Sequence, residues 1–307
     1  MPSVTIVGSL NMDLVVRVAH LPAPGETILG RDYHTIPGGK GANQAVAAAR
    51  LGGVVHMVGR VGQDNYGQTL RSNLSAEGIN VEFVQVDSES ASGVALITLD
   101  EAGSNTIVVA PGANMALTPH DVFQAFKHIA SMDVVVVQME VSLECVQEAA
   151  RAGRARGAKV VLNPAPARPL SDDIYKNVDV LVPNETETGL LTGLPVDTLE
   201  QAEQAANHLL EMGVGAVVLT LGGRGALVVT PGERSIHIPP HVVQVIDTTA
   251  AGDAFVAGLA VGLAEGLNLA EAARLGNSAG AIAVTRLGAQ PSMPTRKDVV
   301  RMLEGRI

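Results

Sequence analysis

The chain has 307 residues, length for one large α/β domain, and its core must be built from Val, Leu, Ile and Ala because Trp is absent and aromatics are scarce. A net charge of −10 with no basic stripe excludes nucleic acid as an expected partner. The lone Cys145 excludes an internal disulfide and suits a reducing cytoplasm.

The first residues carry no basic leader or cleavage site, so no signal peptide is expected. Residues 4–7 form an apolar run ending in Gly8-Ser9, the pattern of a central strand buried on both faces. Asn11-Met12-Asp13 follows at its carboxyl end, where open α/β sheets bind ligands. Short strands are expected over 14–18 and 27–33, separated by the Pro22-Ala23-Pro24-Gly25 turn. A glycine turn, Pro37 to Asn43, leads into an Ala-rich helix over 44–51. Residues 54–80 read as a strand, a glycine loop from Gly59 to Gly67, and a helix ending at Gly78. A hairpin over 93–99 and 105–109, joined through Asp100-Glu101-Ala102-Gly103, is expected to complete a small β lid with 13–36. From Thr118 onward, helices over 119–130, 142–156, 198–212 and 269–282 alternate with strands over 134–138, 159–162, 179–182, 216–220 and 226–229. That alternation predicts a mostly parallel sheet covered on both faces, in one continuous domain over 1–307 with a lid formed by about 13–36 and 93–110. The longest apolar run, around Val256, is bracketed by Asp253 and Glu265 and is too short to span a bilayer.

Two glycine turns carry the chemistry. In Asp247-Thr248-Thr249-Ala250-Ala251-Gly252-Asp253, small residues lead into an apolar helix over 254–264. Such a turn points backbone N–H groups at one spot, where the macrodipole also favours an anion. Asp253 beside that spot would repel an anion, so it either caps the helix or handles a proton. Gly258 and Gly262 allow a neighbouring element to approach that helix closely. In Gly38-Gly39-Lys40-Gly41-Ala42-Asn43 the glycines let a ligand lie against the backbone, Lys40 adds a cation and Asn43 an amide. The P-loop pattern fails there, since Gly41 follows Lys40 and His34 holds the upstream glycine position; the dinucleotide pattern fails after the first strand for want of further glycines.

Other positions stay open between two readings. Asn11 and Asp13 are suited to sugar hydroxyls or to an Asx turn. Glu140, directly after a strand, is a site acid or a solvated loop acid. Asn184, Glu185 and Glu187 fit hydrated magnesium or the negative charge usual at a helix start. Thr220-Leu221-Gly222-Gly223-Arg224-Gly225 is a plain hairpin or a nucleotide loop. Residues 283–292 form a polar loop whose carbonyls could face a cation. The eight histidines have no metal spacing.

Taken together, the stretches 8–13, 38–46, 163–167, 183–187, 220–225, 247–255 and 283–292 resemble, in order and across the whole chain, the PfkB family of carbohydrate kinases. The resemblance implies a doubly wound, mostly parallel sheet flanked by helices, with a small β-sheet lid through which two copies pair as a homodimer. It implies transfer of the ATP γ-phosphoryl group to the 5-hydroxyl of D-ribose. By position, Asn11, Asp13, Gly38, Gly39, Lys40, Asn43, Glu140 and Asp253 would line the sugar site. Asp253 would be the general base, and the backbone of Ala250, Ala251, Gly252 and Asp253 the anion hole. Asn184, Thr220, Leu221, Gly222, Gly223, Arg224, Gly225, Gly252 and Asn277 would contact ATP. Glu187 would organise Mg2+ through water. Asp247, Thr249, Ala283, Arg286, Gly288 and Ser292 would hold K+. The broader family often has Gly where this chain has Ala250; backbone N–H groups do not depend on the side chain, so the anion hole is expected to survive the change.

Alternatives within the family are kinases of deoxyribose, fructose or nucleosides, the last disfavoured by the lack of aromatic stacking residues. Outside it stand a sugar-binding regulator without catalysis, against which intact Gly252 and Asp253 argue, and an NAD-dependent dehydrogenase, which lacks its fingerprint. The expected partners are a small sugar and ATP, with no nucleic acid and no membrane, in the cytoplasm.

Overall fold

The computed structural model describes residues 1–101 and 105–306. In chain order the first half contains β1 (Ser3–Val7), β2 (Asn11–Arg17), β3 (Tyr33–Gly38), α1 (Lys40–Arg50), β4 (Val54–Gly62), α2 (Asn65–Ala76), β5 (Val84–Asp87), β6 (Gly93–Leu99) and β7 (Asn105–Ala110). Then come α3 (Pro119–His128), β8 (Val134–Gln138), α4 (Leu143–Ala155), β9 (Lys159–Asn163), α5 (Asp172–Tyr175), β10 (Val180–Leu181), α6 (Glu185–Thr192) and α7 (Leu199–Glu211). The last part holds β11 (Val217–Thr220), β12 (Ala226–Val229), β13 (Ile236–Ile238), α8 (Ala251–Ala264), α9 (Leu269–Ala283) and α10 (Arg296–Leu303).

Nine strands form the main sheet in the order β13-β12-β11-β10-β9-β8-β1-β4-β5. Pairing is parallel from β5 to β11; β12 runs against the rest of the sheet, pairing antiparallel with both β11 and β13. Alternate side chains of each strand enter opposite cores. Val134 and Val136 pack with α1, α8, α9 and α10 residues, while Val135 and Val137 pack with those of α3, α4 and α7. Burial on both faces is why these strands read as unbroken apolar runs, each Val contributing about 1.5–3 kcal/mol relative to exposure.

A second sheet, β3-β2-β6-β7, is inserted at two places. Its β2–β3 hairpin lies between β1 and α1, with Asn11 opposite Gly38 and Asp13 opposite Ile36. The β6–β7 hairpin joins it through parallel pairing of β6 with β2.

The structure redraws several expected elements. Of the expected strand over 27–33 only Tyr33 is extended in a sheet; the segment that pairs with β2 is Tyr33–Gly38, directly before α1. Residues 18–32, inside the expected lid segment 13–36, belong to no strand. Asn11-Met12-Asp13 opens β2 and is not an Asx turn. Gly59 to Gly62 continue β4, and helix α1 starts at Lys40, four residues before the expected start. Helix α8 starts at Ala251, so Gly252 and Asp253 lie in its first turn. Of the expected link between the lid strands, Ala102 and Gly103 lie outside the described residues.

Parallel pairing sends the carboxyl ends of β1, β8, β9, β10 and β11 to one edge of the sheet. Asn11, Glu140, Asn163, Asn184 and Thr220 therefore gather there, as the open-sheet rule predicts. Helix α8 packs against α1 and lies over β1, β8 and β9. Its fit to α9 depends on glycine: a Cβ on Gly258 would come within 2.8 Å of Gly276 Cα, and one on Gly262 within 2.9 Å of Ala272 Cα.

Candidate active site

The first turn of α8 is unusual among the helices. Of those with eight residues or more in the described chain, only α1 and α8 lack a side-chain N-cap. Around α1 the shortage is met from outside: the Lys40 amide donates to Glu140 Oε2 at 3.2 Å, and the Gly41 amide to Ser9 Oγ at 3.4 Å. Helix α8 has instead Ala250 at its N-cap position, with φ 57° and ψ 15°. That left-handed conformation costs an L-residue about 1–2 kcal/mol, and Ala250 is the one non-glycine residue with positive φ among the described residues. The turn is bent at a cost into a form that leaves first-turn amides without a side-chain partner.

Asp253, the third residue of α8, is 5 % exposed and does not cap the helix. Its carboxylate turns to α1 instead, where Asn43 Nδ2 donates to Oδ2 at 3.0 Å and Gln44 Nε2 to Oδ1 at 2.9 Å. Asn43 Oδ1 is buried with no protein partner. An acceptor in that state is what a ligand hydroxyl would satisfy.

The residues expected to line a sugar site converge on the same place. A Cβ on Gly38 would fall 2.3 Å from Asp13 Oδ2, so glycine is needed where the carboxylate lies over the strand. Gly39 takes φ 88°, and a Cβ there would approach the Asn11 amide to 2.7 Å. Asn11 Oδ1 accepts from Asn114 Nδ2 at 2.7 Å, and Asn114 also binds the Leu10 amide and the Pro111 carbonyl, pinning both roots of the small sheet. Ser9 Oγ donates to Glu140 Oε2 at 2.5 Å, fixing that acid beside the start of α1. Burial, with Glu140 and Asp253 nearby, pushes the Asp13 carboxyl up to about 7. Burial works against the Lys40 ammonium, but Asp253, Glu140 and Glu187 outweigh it and hold its pKa above the ordinary value.

Two adjoining cavities meet at this point. One, of about 230 Å³, is lined by Lys40, Asn184, Glu187, Thr220, Gly252 and Asp253, among others. The other, of about 1070 Å³, runs between the small sheet and the loops at 245–249 and 287–291, past Asp13, Tyr33, Ile97, Asp247 and Gly288. Thr248 lines both.

The remaining expected residues divide by what already holds them. Asn184 Oδ1 accepts the Glu187 amide at 2.8 Å while Glu187 Oε2 accepts the Asn184 amide at 2.9 Å, a reciprocal cap at the start of α6. Burial raises the Glu187 pKa despite that bond and the charge of Lys40. Thr220 bridges to Asn184, so the 220–225 loop and the α6 cap stand side by side. Leu221 is core. The Arg224 guanidinium is held by Glu185 and by the carbonyls of Val196 and Asp197, which leaves the Gly222-Gly223-Arg224-Gly225 backbone as the accessible part. Asn277 donates to the Pro239 carbonyl at 3.0 Å.

Asp247 ties two loops together. Its Oδ1 accepts from the Thr249 amide and hydroxyl at 2.9 and 2.6 Å, and its Oδ2 from the Gly288 amide at 2.8 Å. Burial opposes ionisation of Asp247, but these bonds win and lower its pKa. Arg286 turns its guanidinium to Asp298 at 3.1 Å, Ala283 gives its carbonyl to the Arg286 amide, and Ser292 is fully buried.

Sequence reasoning missed the amides behind Asp253: Gln44, Gln138 and Asn163 are buried and bonded to one another. The available signal was a glutamine within an Ala-rich helix face, a polar group that burial obliges to find partners.

The pfkB family carbohydrate kinase model matches residues 1–296. A ribokinase of Haemophilus influenzae is 42% identical, covering 98% of this chain and 98% of that protein, and one of Bacillus subtilis is 41% identical over 99% and 100%. The solved structure of Arabidopsis thaliana ribokinase complexed with ribose and ATP superposes with a TM-score of 0.91 at 34% identity, covering 99% of each chain. With the whole chain matched in sequence and in fold, the protein belongs to the pfkB family of carbohydrate kinases.

Proposed function

We propose that this protein is an ATP-dependent kinase of D-ribose that phosphorylates the 5-hydroxyl. The observation that carries the reading is Asp253: a buried carboxylate aimed by α1 donors, at the start of a helix with no capping side chain, lining the smaller cavity, which shares Thr248 with the larger one. The relatives named ribokinase and the relative solved with ribose and ATP support the choice of substrates.

In this reading Asn11, Asp13, Gly38, Gly39, Lys40, Asn43 and Glu140 bind the sugar. Asp253 takes the proton of the attacking hydroxyl, a role worth roughly 10²–10⁴-fold. The amides of residues 250–253 receive the charge that develops on the γ-phosphate, each worth about 3 kcal/mol by analogy with oxyanion holes. The small sheet acts as a lid on a single domain and keeps water from competing for the phosphoryl group. The 220–225 backbone, Asn184 and Asn277 hold the nucleotide.

Glu187 fits a hydrated Mg2+, because only one of its oxygens is used by the α6 cap. When bound, the ion neutralises phosphate charge. The loops around Asp247 fit K+ through carbonyls, since Asp247 stays ionised and the Arg286 guanidinium is turned to Asp298. A cation held there would add positive charge near the amides of residues 250–253. Pairing through the lid is supported by β7, which is exposed along its whole length, with Ile107, Val108 and Val109 among its residues. Use of ATP fits residence in the cytoplasm.

A relative named deoxyribokinase in Salmonella typhi is 37% identical, which keeps 2-deoxyribose as the second reading. Coupled ADP release over ribose, 2-deoxyribose, fructose and a nucleoside tests the choice. The expected result is the highest kcat/KM with ribose. A tenfold preference for another sugar would move the assignment, and absence of any sugar-dependent ADP release would overturn it.

A further inference from the structure

Behind Asp253 runs a line of buried amides that the reaction as described does not use. Gln138 Nε2 donates to Gln44 Oε1, and Gln44 Nε2 donates to Asp253 Oδ1 at 2.9 Å and to Asn163 Oδ1 at 3.3 Å. Asn163 Nδ2 is fixed on the Val182 carbonyl at 3.0 Å. Gln44 and Gln138 are wholly buried and line neither cavity. The direction of the chain is dictated by its end. An ionised carboxylate only accepts, so Gln44 must present its NH2 group to Asp253 and its carbonyl to Gln138. The carbonyl of Gln138 is then left without a partner, as is observed. It lies against Gly8, where a Cβ would stand 1.9 Å from that oxygen. A buried unpaired acceptor is costly, and the arrangement makes sense if the donor end is what matters.

Resting on the kinase reading above, we propose that Gln44 and Gln138 are positioning residues that keep an amide donor on Asp253 Oδ1 and hold its carboxylate aimed at the sugar hydroxyl. A donor on the charged form favours that form, and a glutamine locked from behind cannot rotate to offer its oxygen instead. The other groups facing Asp253 are Asn43 and Lys40 on α1, Asp13 on β2, Glu140 after β8 and Glu187 on α6, and none is altered by changing Gln44 or Gln138.

The test is the pH profile of kcat/KM for the sugar. In Gln44→Met, which keeps the length of the side chain, the acid limb should move up by about one pH unit, kcat should fall, and KM for ATP should stay within about twofold. Gln138→Met should shift the limb in the same direction by less, and the double variant should shift it no further than Gln44→Met alone. Gln44→Glu, with two carboxyls sharing a proton, should raise the limb beyond Gln44→Met. If Gln44→Met does not fold, Gln138→Met and Gln44→Glu carry the test. A purely structural role would lower the melting temperature with the limb unmoved, and that result in the folded variants overturns the proposal. Failure of the kinase reading is separate: the wild-type protein would then show no sugar-dependent ADP release.

Discussion

Replacing Asp253 with Asn tests both the chemistry and the geometry of the site. The change removes the proposed proton acceptor, so kcat for sugar-dependent ADP release should fall by roughly 10²–10⁴-fold. The structure adds a second consequence. Both carboxylate oxygens accept from amide donors, Asn43 Nδ2 at 3.0 Å and Gln44 Nε2 at 2.9 Å. An Asn at 253 has one oxygen and one NH2 group, so one of these contacts becomes donor against donor. Gln44 cannot turn, because its oxygen is held by Gln138. Asn43 can, since its Oδ1 has no partner to lose. The expected outcome is a flipped Asn43, which withdraws its free acceptor from the sugar and raises KM for sugar several-fold while KM for ATP changes little. The flip restores one neutral hydrogen bond, worth about 1 kcal/mol, in place of a charge-assisted one worth about 1.5–3 kcal/mol. Steady-state kinetics by a coupled ADP assay, with sugar and ATP varied separately, measures all three quantities. Retention of more than about a tenth of wild-type kcat would refute Asp253 as the base.

Ala250→Gly should stabilise the protein by about 0.5–1 kcal/mol, because relief of a left-handed alanine, about 1–2 kcal/mol, exceeds the added freedom of the unfolded chain. A calorimetric melting temperature that drops instead would mean that the Ala250 methyl packs better than its φ of 57° costs. The sign for Asp13 runs opposite to that of an ordinary salt-bridged acid. Its folded pKa is raised from 3.8 to about 7, so the native state keeps a proton the unfolded chain has released, and stability falls as pH rises through that window. Asp13→Asn should therefore flatten the decline in melting temperature of the ligand-free protein between about pH 4 and 7; identical slopes in the two proteins would contradict a raised Asp13. Replacing potassium by a large organic cation should lower kcat, and Asp247→Ala should abolish the difference between the two cations. Equal wild-type rates in both would remove the cation from the site.

How much of this was legible in the sequence depended on what enforces each element. The run Val134 to Val137 is apolar because both its faces are buried, and its strand was found at its true bounds. In the small sheet only partial burial acts on β3, so composition favoured 27–33, while the real strand is fixed by its register with β2 from Asn11 opposite Gly38 to Val16 opposite Tyr33. β5, β13, α5, α6 and α10 went unread: the two strands are short and form the edges of the main sheet, and the helices have few buried residues to mark their period.

The site shows the same division. Glycines at 38 and 39 stand where a Cβ would fall 2.3 Å from the Asp13 carboxylate and 2.7 Å from the Asn11 amide, whereas Gly252 has open space around it. Partners 200 residues apart in sequence leave no local trace. Gln44 looks like an ordinary helix residue until α8 brings Asp253 to it, 209 positions later. Ala250 is the most telling case. Its side chain was expected to be irrelevant to an anion hole made of backbone N–H groups. Its backbone conformation is another matter: φ of 57° is one that glycine adopts freely and alanine only under constraint. The turn keeps this geometry because α8 is anchored on both sides, by Gly258 against α9 and by Asp253 against α1. Rigidity at the start of the helix is thus supplied by packing along it, and the strain at Ala250 measures how firmly the amides are held for the phosphate they would meet.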